Sequence, residues 1–220
     1  MMLAMPQPLP VAVEVGRQRT FAWVIDWPGW CRSGRGEAAA LASLAACASR
    51  YLKVVIAAGV EPPAGRLDEF LVEERLAGST TTDFGAPGAI AAADHLPLPA
   101  ESGRRLGELL TTSWELLEAV AGQAPAELRK GPRGGGRDRD QVVGHVLGGD
   151  FAYARRLGIT LRSAVSDPAA VAELRRAVFR ALEAGTASAG NWPLRYYARR
   201  AAWHVLDHTW EIEDRSPFRG

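Results

Sequence analysis

The sequence predicts an α+β protein in two parts. Three observations carry this reading. Short stretches of β-branched and aromatic residues occur before residue 30 and again near residue 70, which is strand patterning. A polar, small-residue stretch from Ser79 to Gly88 and the extended Leu96-Pro97-Leu98-Pro99 interrupt the chain and place a linker over residues 81–97. After it, apolar residues recur at three- and four-residue spacing over four long stretches, as in amphipathic helices. The expected organisation is a small β-sheet packed by one helix over residues 1–80, a linker over 81–97, and an all-α four-helix bundle over 98–220.

In the first part, residues 10–15 (Pro-Val-Ala-Val-Glu-Val) and 19–26 (Arg-Thr-Phe-Ala-Trp-Val-Ile-Asp) are separated by a Gly-containing turn and read as a hairpin. Asp26-Trp27-Pro28-Gly29 is the next turn, with Pro setting φ and Gly permitting a positive φ. One helix is expected to start at Glu37 and run past Tyr51, with Leu41, Leu44, Ala48, Leu52 and Val55 at helical spacing and Gly59 as its stop. Residues 70–75 form one more strand.

In the second part the first helix spans about residues 100–121, with Leu106, Leu109, Leu110, Trp114 and Leu117 on one face. Residues 124–137 contain Gly131-Pro132-Arg133-Gly134-Gly135-Gly136 and cannot be helix interior. The second helix covers about 138–157 with Asp138 as its cap. The third covers about 167–184, capped by Asp167 and opened by Pro168. Gly190-Asn191-Trp192-Pro193 leads into the fourth, which ends near residue 215 and has no Gly or Pro inside it.

The fourth helix carries the chemistry. His204 and His208 lie one turn apart on one face, so two imidazoles can converge on a single ion without distorting the backbone. Two imidazoles hold a metal poorly, and the chain has only four histidines. His95 sits beside Pro97 and Pro99, outside any regular helix, so His145 on the second helix is the better third ligand. Three neutral imidazoles leave positions open on zinc or nickel, or on iron or manganese, which distinguishes a catalytic ion from a structural one. Asp207 is placed to accept the second N–H of His204, and Glu211 to orient a histidine or bind the ion. Tyr197 and Arg200 precede His204 by two turns and one turn, on the expected substrate side. Gly149, one turn past His145, either leaves room for a ligand or lets helices approach closely.

A His on an early bundle helix, with His204-Val205-Leu206-Asp207-His208 on a later one, resembles the DinB/YfiT-like superfamily. The segment 203–215 is similar to that family's last bundle helix, and residues 129–156 to its second. The resemblance implies a four-helix bundle with three histidines on one divalent ion. It also implies a hydrolase or a thiol-dependent transferase acting on a small molecule. Residues 1–75 resemble the HicB-like domain on their strand-strand-turn-helix-strand order and the Asp26-Trp27-Pro28-Gly29 turn. That likeness implies a partner-binding module; a bundle follows it here rather than a ribbon-helix-helix.

Composition narrows the classes. Net charge is +1, which gives no global case for nucleic acid or anionic membrane. Lys53 and Lys130 are the only lysines, so the basic residues are nearly all Arg. Cys31 and Cys47 form no Cys-x-x-Cys pair and are expected as free thiols. The first ten residues lack a basic start, and no apolar run reaches the roughly 18–20 residues of a spanning helix, so a cytoplasmic protein is expected. A homodimer is compatible with the sequence. The competing reading is a non-enzymatic binding or regulatory protein whose metal site is structural or vestigial.

Overall fold

The computed structural model describes residues 7–131, 135–161, 164–186 and 190–216. Residues 132–134 of the Gly-rich break and the first six residues, on which the expectations above partly fall, lie outside them. Four strands, β1 (Pro8–Val15), β2 (Thr20–Val24), β3 (Cys31–Gly34) and β4 (Arg66–Ala77), form one sheet in the order β3-β2-β1-β4. β1 pairs antiparallel with β2, Ala12 facing Trp23, and β2 pairs antiparallel with β3. β4 returns parallel to β1 after a helical crossover. That crossover is two helices, α1 (Glu37–Ala46) and α2 (Ala48–Ala57), bent by 48° about Cys47, where a single helix was expected. β3 was not expected either: Cys-Arg-Ser-Gly carries no period-two pattern, and its pairing comes from the neighbouring β2.

Both faces of the sheet are covered, and alternation along the strands sorts them. Val11, Val13, Ala22 and Val24 point to α1 and α2, meeting Leu44, Tyr51 and Val55. Trp30 stacks on Tyr51 with ring centroids 5.1 Å apart, and its Nε1 donates to the Leu44 carbonyl at 3.0 Å. Ala12, Phe21 and Trp23 point the other way and pack on Trp203. The first cluster also contains Leu109, Leu206 and Trp210 from the helical part, so the two parts share apolar core.

The stretch expected as a linker has structure of its own: a short helix α3 (Thr80–Phe84) and a 3-10 turn over Ala92–His95. It is held down at both ends. Glu14 of β1, fully buried, accepts from the Thr82 hydroxyl and from the N–H groups of Gly88 and Ala89 at 3.1 and 2.9 Å. Arg199 forms a buried pair with Asp94 at 2.6 Å and also reaches the Ala89 carbonyl.

The four helical stretches are α4 (Ala100–Gln123), α5 (Arg139–Arg156), α6 (Pro168–Ala184) and α7 (Leu194–Arg215). Asp167 accepts from the Ala169 N–H, Pro168 opens α6, and Gly185 closes it at φ 66°. At the start of α5 the Gln141 side chain accepts from the Asp138 N–H at 3.0 Å. Leu110, Trp114, Val142, Val146, Leu174, Val178, Ala201 and Val205 fill the core between them. A Cβ on Gly103 would lie 1.9 Å from the Leu182 carbonyl oxygen, so α4 and α6 touch through this glycine. Among the described residues no single helix is long and apolar enough to cross a membrane.

Candidate metal centre

α7 is the helix both parts share, and most of its residues are buried. Trp203, Leu206 and Trp210 face the sheet. His204 and His208 face α5, which brings His145 to them. The three ring centroids are 5.0, 4.9 and 4.9 Å apart, with planes close to perpendicular. A donor nitrogen of each lies within 4.8 Å of the others. Between His145 and His204 the facing Nε2 atoms are 3.2 Å apart. Two nitrogens at about 2.0–2.1 Å on a tetrahedral ion are roughly 3.3 Å apart. The donor set fits a divalent ion without rearrangement of these two rings.

The chemistry of each ring fits as well. Burial, reinforced by the neighbouring His208 and His145 and by Arg200 and Arg137, pushes the His204 imidazolium down to about 2. His145 is lowered in the same direction, by burial first and then by Arg137 and His208. Both rings are therefore neutral at pH 7, the state a metal requires. His208 Nδ1 lies 2.7 Å from Glu211 Oε2. The carboxylate fixes that nitrogen as the N–H and leaves Nε2 with the lone pair. The His208 contact and Arg215, 2.5 Å from its other oxygen, hold the Glu211 carboxyl below its usual range.

The remaining residues singled out from the sequence divide. Glu211 meets the His208 ring at Nδ1. Asp207 does not accept from His204; it is 2.9 Å from Arg32 of β3, because its position on α7 faces the sheet. His204 Nδ1 is buried and without a partner. A Cβ on Gly149 would lie 2.6 Å from His204 Cε1, so the missing side chain is the space the His204 ring occupies. Gly144 and Gly148 face open space instead. Tyr197 is fully buried rather than on a substrate side, and its hydroxyl has no partner. Arg200 is buried one turn before His204, over the rings of Trp203 and Tyr153 at 4.8 and 5.5 Å, and donates to the Pro87 carbonyl. His95 is exposed and takes no part.

Sequence reasoning missed two groups. Tyr153 packs against His204 with centroids 5.5 Å apart. It lies two turns past His145 on α5, so helical spacing was the available signal. Deeper in the bundle, Trp114 of α4, Asp150 of α5, Arg175 of α6 and Tyr197 of α7 each present a buried polar atom without a partner. Arg175 lies over the Trp114 ring at 5.1 Å. Burial raises the Asp150 carboxyl to about 7, against the opposing pull of Arg175 and Trp114. Nothing in the period of α5 marks Asp150 as different from a surface acid.

Compared with known proteins, the chain matches no family model, no curated protein and no solved structure. The likeness to DinB/YfiT-like bundles and HicB-like domains thus rests on the residues quoted for it.

Proposed function

We propose that the protein holds a divalent metal ion on His145, His204 and His208 and works as a metal-dependent enzyme of the DinB/YfiT-like type. Its class would be a hydrolase or a thiol-dependent transferase acting on a small molecule in the cytoplasm, with residues 1–80 as a HicB-like domain beside the bundle. The observation that carries this reading is the near-equilateral set of three imidazoles, two of them held neutral by their surroundings. Zinc or nickel suits an all-imidazole donor set best, with iron and manganese next, and such an ion supplies Lewis acidity at its open positions. The chain's own part is to present the donors. Glu211 fixes the His208 ring, Gly149 admits the His204 ring, and His145 stands on the exposed side where a small molecule can approach.

A second reading rests on the 3.2 Å distance between the His145 and His204 nitrogens, which also suits an N–H···N hydrogen bond. On that reading the trio pins α5 to α7, and the protein is a binding module without catalysis.

Elemental analysis after dialysis against a weak chelator separates the two. The parent and His95→Ala should retain about one equivalent of metal, and His145→Ala, His204→Ala and His208→Ala should lose it. His145 is exposed, so its replacement leaves the core intact. If all four variants match the parent, the metal reading fails and the binding module stands.

A further inference from the structure

His208, Glu211 and Arg215 follow one another at three- and four-residue spacing, so one face of α7 carries all three. Both oxygens of the Glu211 carboxylate are engaged: Oε2 by His208 Nδ1 at 2.7 Å and Oε1 by Arg215 Nη1 at 2.5 Å. Arg215 is in turn held from outside its helix. Its Nε donates to the Arg129 carbonyl at 2.9 Å, and the Arg129 N–H donates back to the Arg215 carbonyl at 3.0 Å. Arg129 Nη2 also donates to the Asp214 carbonyl at 2.6 Å. These carbonyls lie in the last turn of α7, where the helix supplies no further N–H. Gly136 lies against the same guanidinium: its φ is 128°, and a Cβ there would be 2.7 Å from Arg215 Nη2. Asp138, which opens α5, accepts from the Leu128 N–H at 3.1 Å and from Lys130 at 2.5 Å. The residues between α4 and α5 thus tie the start of the helix bearing His145 to the end of the helix bearing His208.

We infer that Arg215, set in place by Arg129 and Gly136, is a positioning residue for the metal ligand His208 and acts through Glu211. The inference rests on the metal reading above and deepens it. A carboxylate held by one oxygen can swing; held by both, it presents a fixed lone pair to the Nδ1–H and keeps the imidazole aimed. A guanidinium suits this task because its donors lie in one rigid plane, here Nη1 toward Glu211 and Nε toward Arg129. Without it, the Glu211 side chain regains rotamer freedom that metal binding must then remove. His204 has no such chain behind it: its Nδ1 has no partner, and its ring occupies the space left by Gly149. The donor set is therefore asymmetric, with His208 the ring whose aim depends on groups beyond the site.

The test is the zinc affinity of the full chain, read by competition with a chelating dye. Arg215→Gln should weaken zinc about tenfold, the lower end of what losing a partner behind a metal ligand costs. Arg215→Lys should recover part of the loss, because an ammonium restores the charge without the planar fork. Glu211→Ala combined with Arg215→Gln should bind zinc as Glu211→Ala alone does, since Arg215 acts only through that carboxylate. Gly136→Ala, which displaces the guanidinium from outside the helix, should weaken zinc in the parent. Should Arg215→Gln fail to fold, Arg215→Lys and Gly136→Ala carry the test, and full affinity in both overturns the inference. It is also overturned by unchanged affinity in a folded Arg215→Gln, or by losses that add in the double variant, either of which leaves the metal centre standing. A parent that binds no zinc defeats the metal reading itself, and this inference with it.

Discussion

The two sides of α7 differ in how their charges are matched. On the side that meets the sheet and the 81–97 segment each charge has an opposite charge beside it, Arg32 with Asp207, Arg50 with Glu213, Arg199 with Asp94, and Arg195 with Asp26, although Arg195 Nε and Arg199 Nη1 keep no hydrogen-bond partner. Glu14 beneath them accepts three hydrogen bonds. On the side that meets α5, His204 Nδ1, Tyr197 Oη and both oxygens of Asp150 have no partner. A buried polar atom without a partner costs roughly 1–3 kcal/mol. The paired side is built to hold two parts of the protein together. The unpaired side retains groups that packing alone would have replaced, which is where a site is expected.

The strongest way to break this contrast is on the paired side. Asp94→Ala leaves the Arg199 guanidinium buried against Trp23 and Tyr196 with no carboxylate. It should cost about 3–5 kcal/mol of unfolding free energy in a urea titration. A loss under about 1 kcal/mol would mean that the pair is no more than a surface contact.

On the unpaired side the sign should reverse. The Asp150 carboxyl is raised from 3.8 to about 7 in the folded protein, so the folded state binds the extra proton between those values. Its stability falls as pH rises through that window and levels off above it. Asp150→Asn should therefore stabilise the protein at pH 8, by up to ~4 kcal/mol at about 1.4 kcal/mol per pH unit, and by much less at pH 4.5. Urea unfolding at the two pH values, with chelator present, checks this. Equal effects at both would show that folding does not raise the Asp150 carboxyl.

Two smaller effects sharpen the division along α7. Glu211→Gln weakens the acceptor of His208 and should lower metal affinity about 10–100-fold, read by competition with a chelating dye. Asp207→Asn, though one residue from His208, touches only the half-exposed bridge to Arg32. It should leave metal affinity unchanged and cost less than about 1 kcal/mol. Metal content should hold at pH 6, because His145 and His204 stay neutral below the ordinary imidazole value, and fall under more acid conditions.

Much of the bundle was legible because its signals are local. Asp167-Pro168 and Gly185 mark the ends of α6, the Gly-rich break precedes α5, and the four-residue spacing of His204 and His208 is itself a geometry. His145 could be chosen because the alternatives were so few. What could not be read depends on which face of a helix meets which neighbour. Asp207 and Glu211 both lie on the His-bearing helix, yet one turns to β3 and the other to His208. Tyr197 shares the His204 stripe but points into the bundle. β3 has no pattern of its own, and the bend at Cys47 lies inside a continuous run of helix formers.

The covering of the sheet by α7 has a consequence during synthesis. Arg32 and Asp207, which close that contact, are 175 positions apart. At about 5–20 residues per second a ribosome needs roughly 9–35 s to make the interval. Through that time β1, β2 and β3 are already outside, with Phe21 and Trp23 on a face whose cover stays incomplete until Trp203 joins Leu76, Ala86 and Ala91. Over that interval the nascent chain carries part of an aromatic surface uncovered.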